Sequence, residues 1–307
     1  MGQAMSTKGP SPPLPSVNDA NDFIEQQLDE RIRAIEDSLG ADAISINGPL
    51  LFGVDDIIRK AVDTKFHEAP MRVKLAVLLT TTGGVVEVLP RIVDTFRRHY
   101  QVVDFIVPNY AFSAGTVLVM SGDAIHMDSY SRLGPIDPQI LRPDGSQVPA
   151  LGYLARYNKL LSKANKGQAS TAEIQLLISA FDQGELYQYE HARELSVTLL
   201  KEWLPTYKFK EWKVTKTQKR TVTVKMKERR AAEIAMELNN TEKWHVHGHG
   251  ISIAVLEKDL DLRIDDFGKD PARSKAIRGY HELMCDYMGK RNTKAAVHFS
   301  GRYIPFM

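Results

Sequence analysis

The chain is poor in the features that most quickly assign a function. It holds a single cysteine, Cys285, among 307 residues. That excludes an internal disulfide framework and any multi-cysteine zinc or iron–sulfur site, and a lone thiol fits a reducing compartment. An excess of either charge sign is nearly absent. Lys and Arg number 40 against 38 Asp and Glu, for a formal net charge of +2, so a chain-wide nucleic-acid or membrane footprint is not indicated. Long hydrophobic runs are missing as well. Stretches such as Leu75 to Leu79 and Val102 to Val107 are broken by Asp, Lys or Thr, well short of the ~20 residues that span a bilayer. No apolar region opens the sequence, so no secretory signal is expected. Met1-Gly2 with Ser6 fits a myristoylation pattern only loosely. The expectation is a soluble, cytoplasmic, globular protein, in keeping with 43% apolar and 25% charged residues.

What is present divides the chain. Residues 1–18 carry Pro10, Pro12, Pro13 and Pro15 and read as a disordered leader. Residues 19–265 form the expected principal domain, and residues 266–307 a C-terminal helix and tail. From Asn18, Ile24, Leu28, Ile32 and Ile35 repeat at helical spacing up to Gly40. Ala43 to Ile46 is a short strand candidate and Val54 to Val62 a helix. Val73 to Thr80 (VKLAVLLT) is short and almost wholly apolar, which suits a strand buried on both faces. Thr81-Thr82-Gly83-Gly84 then turns the chain into a helix expected over Val85 to Tyr100. A second buried strand, Val102 to Val107, leads through a turn to a small-residue helix starting at Ser113. Ala124 to Met127 is a third strand. Repeated strand–helix–strand crossovers argue for an α/β class with a parallel sheet. Beyond Pro149 the pattern is helical, ending in a helix from Ala272 to Met288 capped by Asp270-Pro271.

Two turns carry the chemical signal. Ser113 stands between a buried strand and a helix start, beside Ala114 and Gly115, whose small size lets the backbone bend and expose a hydroxyl. Gly83 and Gly84 follow the neighbouring strand and open another helix. In a right-handed parallel arrangement both turns lie at the C-terminal strand edge, where sites collect. A serine oxygen beside two sets of backbone donors is a layout for acyl transfer, with N–H groups from Gly83, Gly84 and Ala114 facing the oxyanion. The same residues also suit a tight packing turn and a helix cap.

Three strings, Thr81-Thr82-Gly83-Gly84, Ala111-Phe112-Ser113-Ala114-Gly115-Thr116 and Ser131-Arg132-Leu133-Gly134-Pro135-Ile136-Asp137-Pro138-Gln139, resemble the serine dehydrogenase proteinase family. This is a branch of the Clp-protease/crotonase superfamily that stands alongside signal peptide peptidase A. A weaker resemblance reaches His247-Gly248 to Ile251, so that it extends over most of residues 40–265. The resemblance implies a Clp/crotonase-like ββα spiral, a Ser113 nucleophile, an oxyanion turn at Gly83 and Gly84, and rings of subunits. Where the Clp pattern would place its histidine, this chain has Pro135, Ile136 and Asp137.

The general base is therefore open among several residues. His247 has the best intrinsic pKa for the task and is slightly preferred. Asp137 lies within the specific motif but needs a raised pKa, and equally suits fixing its own Pro-rich turn. Lys163 and Lys166 lie at a sequence distance from Ser113 comparable with that in Ser–Lys relatives, yet read as surface lysines. His126, inside an apolar strand, reads as a satisfied core residue. His245, His247 and His249 alternate, but the intervening glycines favour a turn over a metal site, so neither metal nor organic cofactor is expected. The basic run from Lys208 to Arg230 reads as a solvated face, with an acidic or nucleic-acid partner as the alternative. The functional expectation is a homo-oligomeric serine peptidase acting on peptides or proteins. The alternative is an inactive or acyl-CoA-type scaffold of the crotonase fold.

Overall fold

The computed structural model describes residues 17–136, 139–141, 147–244 and 250–307. The elements run α1 (Val17–Leu39), β1 (Asp42–Asn47), α2 (Val54–Glu68), β2 (Lys74–Thr80), a 3-10 turn (Val86–Val88), α3 (Leu89–His99), β3 (Val102–Ile106), β4 (Tyr110–Ala111), α4 (Ala114–Val119), β5 (Ala124–Met127) and β6 (Arg132–Leu133). A hairpin of β7 (Gln139–Leu141) and β8 (Gln147–Pro149) leads into α5 (Ala150–Asn165), α6 (Thr171–Ser179) and α7 (Gln183–Trp203). A π-helical turn (Leu204–Lys208), α8 (Val224–Leu238), α9 (Thr241–Trp244), α10 (Ile253–Lys258), β9 (Asp265–Asp266), α11 (Pro271–Lys290), β10 (Ala296–Phe299) and β11 (Arg302–Pro305) complete the chain.

The main sheet has the order β11-β10-β1-β2-β3-β5-β9. From β1 to β9 each neighbour is parallel, and β10 and β11 add an antiparallel edge. The register lines up Ile44, Val77, Phe105 and Ile125 in one row across four strands. The apolar run of β2 is explained by two-sided burial. Leu75, Val77 and Leu79 enter the core shared with α2, α3, α4, α7 and α8, while Ala76 and Leu78 enter a second core under α1 and α11. Each large aliphatic side chain buried this way contributes about 1.5–3 kcal/mol. The helical face read in α1 is the buried one: Leu28, Ile32 and Ile35 pack against Ile277, Tyr280 and Met284 of α11.

Beyond the ends of the main strands runs a second, smaller layer. β4 pairs with β6 in parallel, and isolated bridges join Leu50 to Gly84, Thr81 to Ala111 and Leu133 to Ile251. This layer carries the turns that the sequence singles out.

Three expectations are revised. The segment Val85 to Tyr100 is a 3-10 turn followed by α3, because Pro90 lacks an N–H and sits in the first turn of the α-helix. The stretch after α11, expected as a tail, forms β10 and β11 and closes one edge of the main sheet. The two-residue loop Ser300-Gly301 has positive φ at both positions, 50° and 74°, which is the backbone a tight hairpin needs. Lys208, counted among solvated cations, ends the π turn, where burial lowers its pKa to about 8 against the pull of Asp265 and Asp104. The leader expected over residues 1–18 lies outside the described residues up to position 16; α1 begins at Val17.

His126 is indeed buried, 7% exposed, with Nε2 3.1 Å from Asp104 Oδ2. Burial pushes the Asp104 carboxyl up, but His126 and the Lys74 ammonium at 2.5 Å outweigh it and hold the group below the ordinary carboxylate range. His126 Nδ1 has no hydrogen-bond partner among the described residues.

Candidate functional site

The two turns meet. Thr81 N–H donates to Tyr110 O at 3.0 Å and Phe112 N–H donates to Thr81 O at 3.0 Å, so the backbone after β2 is bonded to the backbone before Ser113. Ser113 is 5% exposed and lies at the N-cap position of α4 with φ 50° and ψ −119°. A positive φ at a non-glycine residue is uncommon, and ψ here lies far from the usual left-handed well. Strain of that kind costs roughly 1–3 kcal/mol and persists only where the surroundings enforce it. The Ser113 side chain makes no capping hydrogen bond to α4, which removes the plain N-cap explanation for a serine at this position.

The surroundings are small by necessity. A Cβ built on Gly115 would fall 2.3 Å from Thr81 Cγ2, so α4 can seat against the Thr81 turn only with glycine there. Gly83 has φ 107°, and a Cβ on it would lie 2.8 Å from both the Phe112 carbonyl oxygen and Ser113 Cβ, and 3.4 Å from Ala114 N. Gly83 is thus the residue that lets the Gly83-Gly84 turn and the serine touch. At Gly84, with φ 146°, a Cβ would reach 2.3 Å from Leu50 O.

The backbone donors are sorted by their partners. Gly83 N–H donates to Thr81 Oγ1 at 3.0 Å. The ladder to Leu50 uses the Gly83 carbonyl, which accepts from Leu50 N–H at 2.8 Å, and the Val85 N–H, which donates to Leu50 O at 2.7 Å. Neither of these rungs uses the Gly84 N–H. On the serine side, Gly115 N–H turns back to Phe112 O at 2.8 Å, and Ala114 is the first residue of α4, whose N–H no helical carbonyl can reach. Of the three donors expected around an oxyanion, Gly84 and Ala114 are the two whose amides are not committed to these bonds.

Thr116 fixes the third motif. Its hydroxyl lies 2.7 Å from Ala111 O and 2.9 Å from Gly134 O, and it accepts from Gly134 N–H at 3.0 Å. Gly134 in turn leaves no room for a side chain, since a Cβ would sit 2.8 Å from the Phe112 ring. The Ser131–Ile136 segment is thereby held against the serine turn.

Ser113 opens onto a cleft of about 440 Å³. The Gly83-Gly84 turn and Glu87 form one side, the Pro49–Phe52 loop another, and Ile136 of the third motif a further part. Helix α7 supplies a wall the sequence reading did not anticipate, with Gln188, Tyr189, Ala192 and Ser196. Gln188, Ala192 and Ser196 recur every four residues, a stripe of small and neutral polar side chains that was legible as a helix face but pointed to no chemistry.

The expected bases are distributed unevenly. His247 and Asp137 lie outside the described residues, as do His245 and His249. Their described neighbours frame the site. Ile136 lines the cleft, and Ile251 exchanges hydrogen bonds with Leu133 at 3.1 and 2.7 Å. Lys163, at the end of α5, donates to Glu173 Oε1 at 2.7 Å, is 43% exposed and is not among the residues lining the cleft. That bond to Lys163 pulls the Glu173 carboxyl down to about 2. Among the described residues no group of three or more His, Cys, Asp or Glu could hold a metal ion. No described helix is long and apolar enough to cross a membrane.

Several known proteins share parts of this sequence or fold. The uncharacterized protein MJ1495 of Methanocaldococcus jannaschii is 29% identical over 125 residues, 39% of this chain and 39% of that protein. The uncharacterized protein MJ0137 of the same organism is 36% identical over 72 residues, 24% of this chain and 25% of its own length. The matches thus span less than half of either relative. Among solved structures, a mutant of the 1510-N membrane-bound stomatin-specific protease in complex with a substrate peptide aligns with a TM-score of 0.42 and 15% identity, over 86% of this chain and 84% of that one. A second mutant of that protease gives a TM-score of 0.30 and 18% identity, over 48% of this chain and 74% of that one. The family model described as ClpP-like SDH-type serine proteinase matches residues 54–208, a span that takes in the Gly83-Gly84 turn, Ser113, the third motif and the α7 wall. The chain belongs to this family of ClpP-like serine proteinases.

Proposed function

We propose that the chain is a serine peptidase working through an acyl-enzyme on Ser113. The observation that carries the reading is the strained backbone of Ser113 at the floor of a cleft, with Gly83 pressed against its Cβ. In the proposed reaction the Ser113 hydroxyl attacks a peptide carbonyl carbon while a base takes its proton. The Gly84 and Ala114 N–H groups donate to the oxyanion as it forms, with Gly83 supplying the close approach. Collapse releases the amine, which takes up a proton, and leaves an ester on Ser113. Water then adds to the ester carbonyl by the same path and restores the hydroxyl.

For the base, His247 remains first and Asp137 second. The position of Ile136, beside Asp137, in the cleft supports Asp137, and the bridge between Ile251 and Leu133 of the third motif supports His247. The ion pair between Lys163 and Glu173 weighs against Lys163. A crotonase-type or inactive scaffold needs no serine at position 113 and would leave its strained conformation without a use.

The decisive experiment is labelling with a fluorophosphonate probe. Ser113 should be the labelled residue, and Ser113→Ala should abolish both labelling and peptide or ester hydrolysis while the melting midpoint is retained. An unlabelled, folded protein would withdraw the hydrolase reading.

The wider reading is a cytoplasmic homo-oligomer acting on peptides or proteins. Self-association is supported by α6, where Ile174, Leu176 and Ile178 are 43%, 39% and 77% exposed; light scattering of the purified chain tests it. In the basic 208–230 segment, Lys213, Lys216, Arg229 and Arg230 are ion-paired with Glu211, Asp261 and Glu233. That supports a solvated face over an acidic or nucleic-acid partner, and salt-dependent binding of RNA or DNA would reverse the choice.

A further inference from the structure

Glu87 is the one charged side chain among the described residues lining the cleft. It lies three residues past Gly84 on the 3-10 turn, between Val86 and Val88, which are 6% and 1% exposed. Glu87 itself is exposed, on the side of the cleft formed with the Gly83-Gly84 turn. Arg91, four residues on, has its Nη1 2.8 Å from Asp55 Oδ2. Glu87 has no ion-pair partner among the described residues. The remaining described walls are apolar or neutral, including Leu51, Phe52, Val86, Ile136 and Ala192. Apolar walls concentrate the field of a single charge within a cleft.

We propose that Glu87 is a specificity residue that receives a cationic group of the substrate close to the scissile bond. The inference rests on the peptidase reading of Ser113 and names the substrate class: chains that place an ammonium or guanidinium beside an apolar segment. The cation can come from a Lys or Arg side chain or from a free chain terminus, and both would meet the same carboxylate.

The test is a binding measurement in the Ser113→Ala protein, so that it is independent of turnover. Fluorescein-labelled peptides of alanine and serine carry one lysine at each position in turn, each paired with a norleucine counterpart. At one position or a pair of adjacent positions lysine should tighten binding roughly five-fold at low ionic strength, and the gain should fade at about 0.5 M salt. Adding Glu87→Gln should equalise each pair, and Glu87→Lys should reverse the preference; the exposed position tolerates both changes. Free and acetylated amino termini in the same set separate a side-chain cation from an α-amino group. Equal binding of lysine and norleucine peptides at every position, or a lysine preference that survives Glu87→Gln, overturns the proposal. Fluorophosphonate labelling of Ser113 judges the peptidase reading separately, so the two can fail independently.

Discussion

Replacing Gly83 by alanine probes the contact on which the site depends. A φ of 107° is unfavourable for any L-residue with a side chain, at a cost of roughly 1–2 kcal/mol. The added methyl would sit 2.8 Å from the Phe112 carbonyl oxygen and 2.8 Å from Ser113 Cβ. Neither neighbour yields easily. The Phe112 carbonyl accepts the Gly115 N–H at 2.8 Å and so belongs to the first turn of α4. Ser113 already holds a strained conformation. Overpacking of this kind adds about 1–3 kcal/mol, for a total loss of roughly 2–5 kcal/mol in stability. The larger effect is expected on chemistry. In the proposed reaction, a shift of a few tenths of an ångström would displace Ser113 from the proposed Gly84 donor, and loss of one oxyanion donor costs about 100- to 1,000-fold in rate. The assay is the second-order rate of fluorophosphonate labelling together with ester hydrolysis, normalised to folded protein. Gly152→Ala is the control: Gly152 lies in α5 with nothing within 4 Å of a built Cβ, so alanine there should stabilise by about 0.5–1 kcal/mol and leave labelling unchanged. A Gly83→Ala protein that melts and labels like the parent would refute the argument that these turns touch.

Thr116→Val keeps the shape of the side chain but removes the hydroxyl that ties Ala111 to Gly134; it should cost about 1–3 kcal/mol by chemical denaturation and slow labelling of Ser113. Lys208→Met should stabilise the chain by roughly 1–3 kcal/mol at neutral pH, because the folded protein must otherwise hold a half-buried ammonium whose pKa is lowered to about 8. The folded pKa, about 8, lies below the unfolded value of about 10.4, so the unfolded chain binds more protons across that window and parent stability rises with pH. The advantage of Lys208→Met should therefore be full below pH 8 and shrink toward pH 10; a constant difference would place the Lys208 ammonium in water.

The sequence was most legible where burial acts on both faces. VKLAVLLT reads as a strand because Leu75, Val77 and Leu79 on one side and Ala76 and Leu78 on the other all enter cores. The Asp270 cap was equally plain, and its carboxylate accepts from the Ala272 and Arg273 amides, both at 3.1 Å. The missed elements are those whose meaning is long-range. β10 carries only Ala296 to Phe299, too short to show a period, and its partner β1 lies some 250 residues earlier. The Ser-Gly loop that follows was a usable hairpin signal, since alternation on both sides of such a dipeptide predicts a tight turn. Lys208 could not be separated from its neighbours, because a basic segment gives no sign of which member turns inward. At the candidate site Ser113 and the glycines were readable from residue type and spacing. The α7 wall was not, for it meets the serine only by folding some 75–83 residues of chain back on itself.

The second layer explains why so few residues carry so much of the identity. The strands of the main sheet stop at Thr80, Ile106 and Met127, and beyond them the chain continues as single rungs. Leu50 pairs with Gly84, Thr81 with Ala111, β4 with β6, and Leu133 with Ile251. Each motif string contributes one segment to this row, so strings separated by tens of residues become hydrogen-bonded neighbours. A rung held by two backbone bonds tolerates little displacement, and the spaces between rungs admit no Cβ at 83, 84, 115 or 134. Side chains elsewhere in the sheet can be exchanged for others of similar volume, because packing is adjustable. Backbone-to-backbone approach is not, since no rotamer change relieves it. The glycines are therefore fixed by geometry before chemistry is considered, and the serine conformation that they permit is what a hydrolytic site would draw on.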